Sequence, residues 1–110
     1  MSYEWYNQID RLARYAESKI DDCVRLDYPD MLGAAPSAMD AIRSNLRTQA
    51  ASRSPNALME ECESLTESDV LSQLDRLAKE ATALAHDRAA EHVSRADVQS
   101  VLPSLNYPFR

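Results

Sequence analysis

The sequence of 110 residues predicts an all-α protein, a small bundle of four to five helices in which a short capped C-terminal helix closes one end. Three observations predict this fold class. Apolar residues recur at intervals of three and four, the spacing of one face of an α-helix. The sequence holds a single glycine, whereas the tight turns of antiparallel sheets depend on glycine. Three segments open with a Ser-x-x-Asp or Thr-x-x-Asp capping box.

The chain length predicts one domain with one hydrophobic core. Within residues 1–110 we expect an N-terminal helix up to residue 26, a helical core over residues 37–102 and an aromatic tail over residues 103–110. No β-strands are expected.

The first helix is predicted from about Tyr3 to Val24. Its apolar stripe advances in steps of three and four residues: Trp5, Ile9, Leu12, Ala16, Ile20 and Cys23. Two prolines and the one glycine then predict a connector over residues 27–36. Three apolar side chains are expected to pin this connector to the core: Tyr28, Met31 and Leu32.

A capping box of Ser37 and Asp40 predicts the start of the second helix, which ends near Ala51. Ser54 followed by Pro55 predicts the start of a third helix, because proline is well accommodated at the first helical position. The apolar residues of these two helices continue the helical spacing: Met39, Ile42 and Leu46, then Leu58, Cys62 and Leu65.

The longest part of the apolar stripe follows, and its start allows two interpretations. Thr66 and Asp69 form a second capping box, so either a new helix begins here or one long helix with a gentle kink passes through. The stripe beyond the box predicts a helix that reaches about Glu91. Its apolar positions are Val70, Leu74, Leu77, Ala81, Leu84 and Ala85.

A third box, Ser94 to Asp97, opens the last predicted helix. Pro103 disfavours helical geometry at the residue before it and ends this helix. We expect the helix to close over one end of its predecessor, because it has too few apolar residues to stand alone: Val98, Val101 and Leu102.

The tail places Tyr107 and Phe109 on either side of Pro108. Two roles fit this segment. It docks onto another protein as an extended peptide, or it folds back and covers the core of its own chain.

The stretch LDRLAKEATALAHDRAAEHVSRADVQSVL resembles the second half of a histone fold. Val93, Ser94, Asp97 and Val98 stand where the second loop of that fold has valine or isoleucine, serine or threonine, and then DV or DI. Over residues 37–102 the resemblance implies a short helix, a long central helix and a short closing helix. It also implies a dimer that associates with DNA.

Residues 66–110 are similar to the C-terminal helical lid of MoxR-type AAA+ ATPases as well. In that lid a capped helix follows a long helix and runs into a proline, as Asp97, Val98 and Pro103 do here. The resemblance implies a helical module. It does not imply ATP hydrolysis, because the ATPase core lies outside the similar region.

Composition excludes several classes of function. A single glycine is too few for a Walker loop or a dinucleotide fingerprint, so neither nucleotide-binding device is expected. The net charge of −6 disfavours strong binding of nucleic acid, because such binding rests on neutralising phosphates. Two cysteines, no N-terminal leader and no apolar run of membrane-spanning length predict a cytoplasmic protein with reduced thiols that binds no membrane.

The charge is unevenly distributed along the chain. Acidic residues predict a partner-binding face: Glu60, Glu61, Glu63 and Glu67. The alternative interpretation is an acidic face that is only solvated, since such pairs are common on helix surfaces. Between the prolines at 36 and 55 the balance reverses and gives a possible basic face: Arg43, Arg47 and Arg53.

Few residues suggest chemistry. Glu60 and Glu63 facing Glu17 and Asp21 would form the magnesium site of an all-α nucleotide phosphohydrolase. His86 and His92 are six residues apart, which is not the spacing of a zinc pair on a helix, and His92 is expected to help end the long helix. No nucleophile motif is present. We therefore expect no catalytic residues, no metal and no cofactor.

The hypothesis that fits these observations is a non-enzymatic protein–protein interaction module, an adaptor, regulator or assembly subunit that offers its acidic face to another protein and forms a dimer. Two alternatives are a histone-like dimer that associates with DNA and the magnesium-dependent phosphohydrolase.

Overall fold

The computed structural model describes residues 3–51 and 67–105, with side chains over residues 9–48 and 71–105. In this part of the chain the all-α prediction is confirmed, with four helices, of which the last is the short one near the C-terminus. The elements in chain order are α1 (Tyr3–Asp27), β1 (Gly33–Ala34), α2 (Pro36–Ala51), α3 (Glu67–Asp87), β2 (His92–Val93), α4 (Arg95–Val101) and a 3-10 turn (Leu102–Ser104).

Helices α1 and α3 form the centre of the bundle and run parallel. The Tyr15 hydroxyl on α1 donates a hydrogen bond to Asp75 on α3. Further along both helices, the ring of Tyr28, directly after α1, lies 4.4 Å from the ring of His86 in the last turn of α3, centroid to centroid. Most residues of the predicted stripes are buried together between these helices: Ile9, Leu12, Ala16, Ile20, Leu74, Leu77, Ala81 and Ala85. Two predicted members differ, since 39% of the Leu84 surface is exposed and Cys23 is half-buried. Burial of such apolar surface is the main force that holds the helices together.

The connector after α1 contains the first of two short strands, which the sequence did not predict. β1 pairs with β2 in parallel, Gly33 opposite His92 and Ala34 opposite Val93. Two-residue strands leave no alternating pattern to detect. Met31 is buried as expected, but the prediction for Leu32 was wrong because 67% of its surface is exposed.

The one glycine lies in β1, and its conformation explains why a glycine is there. Gly33 has a φ of +123°, a region that other residues rarely adopt. A Cβ atom at this position would also lie 2.9 Å from the Asp21 carboxylate oxygen Oδ1 on α1. The Asp21 side chain is exposed and can move aside, so the backbone φ is the main reason for glycine at residue 33.

Helix α2 begins one residue before the predicted capping box. The Ala35 carbonyl accepts hydrogen bonds from the N–H groups of Ala38 and Met39, so Ala35 is the capping position and Pro36 the first helical residue. Ser37 is therefore inside the helix, and the predicted box of Ser37 and Asp40 was wrong. The stripe on α2 is confirmed, since Met39, Ile42 and Leu46 are all buried.

Helix α3 begins at Glu67, directly after Thr66, and ends at Asp87, four residues before the predicted end. The Ala89 N–H donates to the His86 carbonyl and the Ala90 N–H donates to the Ala85 carbonyl, the two bonds of a Schellman cap. Ala89 has a φ of 57°. This stop was missed because glycine or asparagine, the usual signals, is absent from the turn.

Helix α4 has the predicted capping box. The Ser94 hydroxyl accepts from the Asp97 N–H, and the Asp97 carboxylate accepts from the Ser94 N–H. Val98, Val101 and Leu102 are buried, and the helix packs on both α2 and α3, so the expected closure of one end is confirmed.

The geometry before Pro103 differs from the prediction. Leu102 keeps helical angles, with φ −50° and ψ −44°, and the chain tightens into a 3-10 turn that contains Pro103. Leu105 is buried after this turn. The predicted third helix from Ser54, with Leu58, Cys62 and Leu65, lies outside the described residues, as does the question of whether it is continuous with α3.

Candidate functional site

The predicted acidic face adjoins the start of α3. Glu67 is the first residue of that helix, while its side chain and residues Glu60, Glu61 and Glu63 lie outside the described part. Since α1 and α3 are parallel and Arg43 of α2 approaches Asp10 of α1, the start of α3 lies at the end of the bundle where α1 begins and α2 ends. This end is opposite the pair of strands. Negative charge at a helix N-terminus is favoured by the helix dipole.

The described side chains are almost balanced in charge. They comprise twelve Asp or Glu and ten Lys or Arg residues, whereas the whole chain has a net charge of −6. Several of the described carboxylates form ion pairs with arginines: Asp10 with Arg14, Asp22 with Arg25, Glu80 with Arg76, and Asp97 with Arg88. Most of the excess negative charge therefore lies in residues 60–69, which contain five acidic residues and no basic one.

The predicted basic face is only partly basic. The Arg43 guanidinium is half-buried and lies 3.7 Å from the Asp10 carboxylate and 3.8 Å from the Asp40 carboxylate. Arg47, one turn later on α2, is exposed. Arg53 lies outside the described residues. Carboxylates beside Arg43 reduce the positive potential that a phosphate would meet on this helix.

A polar cluster at the base of α4 was only partly predicted. Arg88, just after α3, donates to both carboxylate oxygens of Asp97, at 3.1 Å from Nε and 2.5 Å from Nη2. Burial by itself would raise the pKa of the Asp97 carboxyl, but hydrogen bonds from Ser94 and Arg88 outweigh burial and hold that pKa below its ordinary value. The cluster holds α4 against the end of α3, and the charges of Arg88 and Asp97 neutralise each other in this ion pair.

A shallow groove, which the sequence did not predict, runs between α1 and α3. One part, of about 300 Å³, is lined by the only two lysines of the chain, Lys19 and Lys79, together with Cys23 and Leu26. A second part, of about 430 Å³, shares Cys23 and Lys79 and continues to Tyr28. No sequence signal could reveal it, because Lys19 and Lys79 come together only when the two helices pack.

The surroundings in the groove do not make the Cys23 thiol more reactive. Burial raises the pKa of the Cys23 thiol, Asp27 raises it further, and Lys79 opposes them without reversing the shift. Burial also raises the pKa of Tyr15, helped by the hydrogen bond to Asp75. A thiol with a raised pKa is protonated at neutral pH, so Cys23 behaves as a structural cysteine rather than a nucleophile.

Only two of the four residues of the magnesium hypothesis lie in the described part of the chain, Glu17 and Asp21. Glu17 and Asp21 are exposed on α1, and the Asp21 carboxylate lies against Gly33. Over residues 3–51 and 67–105, no group of three or more His, Cys, Asp or Glu side chains could hold a metal ion. Glu60 and Glu63 lie outside those residues.

The two histidines have separate surroundings. His86 is in the last turn of α3, stacked on Tyr28, and its Nε2 atom lies 3.6 Å from the Asp30 carboxylate. His92 is exposed in β2. The prediction that His92 helps to end the long helix was therefore wrong, since that helix ends five residues earlier.

The aromatic tail begins beside α3. The carbonyl of Ser104 accepts a hydrogen bond from Arg76, and Leu105 is the last described residue. Tyr107 and Phe109 lie outside the described part. No helix among the described residues is long and apolar enough to cross a membrane.

Comparison with known proteins found no relative. No protein-family model matches the chain, and no match was found among curated proteins or solved structures.

Proposed function

We propose that the protein is a non-enzymatic helical interaction module of the cytoplasm that binds a basic surface of another protein through Glu60, Glu61, Glu63 and Glu67. The uneven distribution of charge is the observation that carries the proposal. The described side chains nearly balance, while residues 60–69 contain five acidic residues and no basic one. An acidic segment beside a part of the protein with nearly balanced charge attracts a positively charged partner and orients its approach.

The shifted groups support a role without catalysis. Catalytic sites gather groups with perturbed pKa values in one cleft. Here Asp97 is held at the base of α4, where its charge is neutralised by Arg88. Tyr15 and Cys23 lie between α1 and α3, and both have pKa values raised mainly by burial. The Asp97 shift comes from hydrogen bonds that hold α4 in place, and the other two come mainly from burial, so none of the three gives an activated acid, base or nucleophile.

The proposal is tested by capturing binding partners with a neutralised variant. The substitutions Glu60→Gln, Glu61→Gln and Glu63→Gln remove three charges with little change of shape. We expect proteins captured by the natural sequence at low salt to be lost with this variant, because the attraction between the charged surfaces is lost. Capture by the natural sequence should also weaken as salt is raised, since salt screens exposed charges.

A matched variant provides the control. Asp30→Asn, Asp87→Asn and Glu91→Gln remove the same number of charges from exposed positions near the strand end. This variant should retain the partner. If both variants lose the partner equally, only net charge matters. If neither loses it, the acidic face is only solvated and the proposal fails.

A histone-like dimer that associates with DNA is the second candidate, and the burial of Val93 and Val98 around the Ser94–Asp97 box is the observation in its favour. The packing of α3 weighs against it. Its apolar stripe is covered by α1 of the same chain, so burial alone gives no reason for an obligate dimer. Light scattering over a hundredfold range of concentration and a DNA mobility shift at low salt test this candidate; a monomer without a shift would exclude it.

The magnesium-dependent phosphohydrolase has no further support from the described residues. It requires that magnesium raise the melting temperature and that nucleoside triphosphates be consumed.

A further inference from the structure

The inference concerns the open side of the groove between α1 and α3. Leu26, in the last turn of α1, lines this groove, and 73% of its surface is exposed. No large apolar residue in the described part of the chain is more exposed. Cys23, Tyr28 and Ala83 add partly buried surface beside it, and charged residues form the rim. Apolar surface inside a charged rim is typical of a site where two proteins meet.

Two charged residues of the groove lie symmetrically about Cys23. Lys19 comes one helical turn before Cys23 and Asp27 one turn after it, and all three line the same part of the groove. Four helical residues span about 6 Å, so one positive and one negative charge lie at equal distances on either side of Cys23. The Lys19 ammonium lies over the Tyr15 ring, and among the described residues neither Lys19 nor Asp27 forms an ion pair. Both charges are therefore available to a partner.

This arrangement of charges is complementary to a second copy of itself. When two copies of α1 pack antiparallel around a two-fold axis beside Cys23, Lys19 of each copy faces Asp27 of the other. Leu26 of each copy then packs against the aliphatic stem of Lys19 in the other copy. A two-fold interface uses the same patch on both copies, so it requires a surface that complements itself in this way. The apolar stripe of α3 cannot serve, because α1 covers it within one chain.

We propose that the protein forms an antiparallel dimer through the groove between α1 and α3. Seven residues line one part of the groove, and the second part adds three more. A stable interface uses about 20–30 residues on each side, so this dimer is weak and forms only at high protein concentration. The dimer uses neither the acidic face nor the apolar stripe of α3. It is therefore independent of the proposed function and differs from the histone-like dimer.

Sedimentation equilibrium of matched variants tests the proposal. The natural sequence should dimerise as its concentration approaches about 1 mM, and Leu26→Gln should lower the association constant at least about tenfold. Leu32→Gln is the control, because Leu32 is 67% exposed but lines neither part of the groove, and it should leave the constant unchanged. Both side chains are exposed in the single chain, so melting at low concentration should show intact folding. A natural sequence that stays monomeric, or equal weakening by both variants, would overturn the proposal.

An exchange of charges tests the antiparallel arrangement. Lys19→Glu alone and Asp27→Lys alone should each weaken association several-fold, because each places like charges opposite one another. The double variant with both substitutions should restore association, because opposite charges meet again. Lys19 and Asp27 are two turns apart on one helix, so this rescue does not arise from a contact within one copy. A double variant that associates no more tightly than the single variants would overturn the arrangement.

Cross-linking at Cys23 tests where the two-fold axis lies. In a Cys62→Ser background Cys23 is the only thiol, so a short bismaleimide should join Cys23 of one copy to Cys23 of the other at high protein concentration. The control in the same background combines Cys23→Ser with Ser44→Cys, which moves the thiol to the exposed side of α2 and should give little product. A yield no higher than that of the control would overturn dimerisation through the groove.

Discussion

The starts of α2 and α4 look alike in sequence and are built differently. Each helix follows one strand of the parallel pair, and each has a Ser-x-x-Asp pattern near its start. Ser94 directly follows β2 and caps α4. The residue that directly follows β1 is Ala35, so Ser37 lies two residues too late to cap α2. The pairing of Ala34 with Val93 makes Ala35 and Ser94 the equivalent positions.

A capping pattern acts only in the right register. A serine caps a helix when it is the last residue before the helical turn, where its side chain meets the free N–H groups. Here the strand pair, together with proline at the first position of α2, sets that register. The same four-letter pattern is therefore a cap in α4 and two ordinary helical positions in α2.

Among substitutions at the starts of α4 and α2, those of Asp97 and Asp40 should differ most in their effect on the free energy of unfolding. Asp97→Ala should lower the free energy of unfolding by about 3 kcal/mol, because it removes the shared acceptor of hydrogen bonds from the Ser94 N–H, the Ser94 hydroxyl and the Arg88 guanidinium. Asp40→Ala should change it by less than about 0.5 kcal/mol, since Asp40 is exposed. Urea denaturation of both variants measures this difference, and equal losses would contradict it.

The Asp97 contact should also give a dependence on pH. Its pKa is lowered by folding, so its contribution is complete above the ordinary aspartate pKa of about 3.9 and is lost as pH falls through the lower folded value. We expect the gap in stability between the natural sequence and Asp97→Asn to be constant near neutral pH and to narrow below about pH 4. Urea midpoints measured from pH 7 to pH 2.5 check this; a gap that widens in acid would show the opposite sign.

Gly33→Ala tests the strand pair that sets both registers. We expect a loss of about 2 kcal/mol, because alanine is strained at a φ of +123° and its Cβ meets Asp21. The reverse change at the end of α3, Ala89→Gly, should stabilise by about 1 kcal/mol, since Ala89 has a left-handed φ of 57°. Thermal melts report both, and a tolerated Gly33→Ala would argue against the strand geometry.

Removal of the two serines should give a smaller contrast. Ser94→Ala should lower stability by about 1 kcal/mol through loss of the cap. Ser37→Ala should have no effect or stabilise by a few tenths of a kcal/mol, because alanine is the better helix former inside a helix. Melting of the two single variants side by side distinguishes them. Equal effects would place Ser37 at the capping position after all.

The smallest expected effect on stability comes from giving α2 a serine at its capping position, as α4 has. Ala35→Ser supplies a capping hydroxyl at the position equivalent to Ser94 and should stabilise by about 0.5 kcal/mol or more. Ala34→Ser, one residue earlier, serves as the control and should not stabilise. A gain for Ala34→Ser alone would show that the register has been misplaced by one residue.

Features set by neighbouring residues could be predicted from the sequence. The stripes through Ile20, Ile42 and Leu77 were identified because helical periodicity is a local property. The box of Ser94 and Asp97 was identified for the same reason. The end of α3 was not, because its cap uses alanine at a left-handed φ where the usual signal is glycine.

The candidate sites show the same division. The acidic segment at Glu60, Glu61 and Glu63 was proposed from residue type and spacing alone, and it remains a prediction. The groove between α1 and α3 could not be proposed, because Lys19 and Lys79 are sixty residues apart in sequence and line one surface only after the helices pack. Arg88 gave no signal either, since its role depends on where Asp97 lies.

The sequence by itself determined the helical class, the faces that are buried, the short capped helix and the concentration of acidic charge. These follow from interactions within a few residues of one another and from composition. Only the tertiary structure decided the parallel course of α1 and α3, the pairing of residue 33 with residue 92 and the register that makes Ser94 a cap and leaves Ser37 inside its helix. These depend on contacts between distant segments, whose geometry exists only when the whole core has formed.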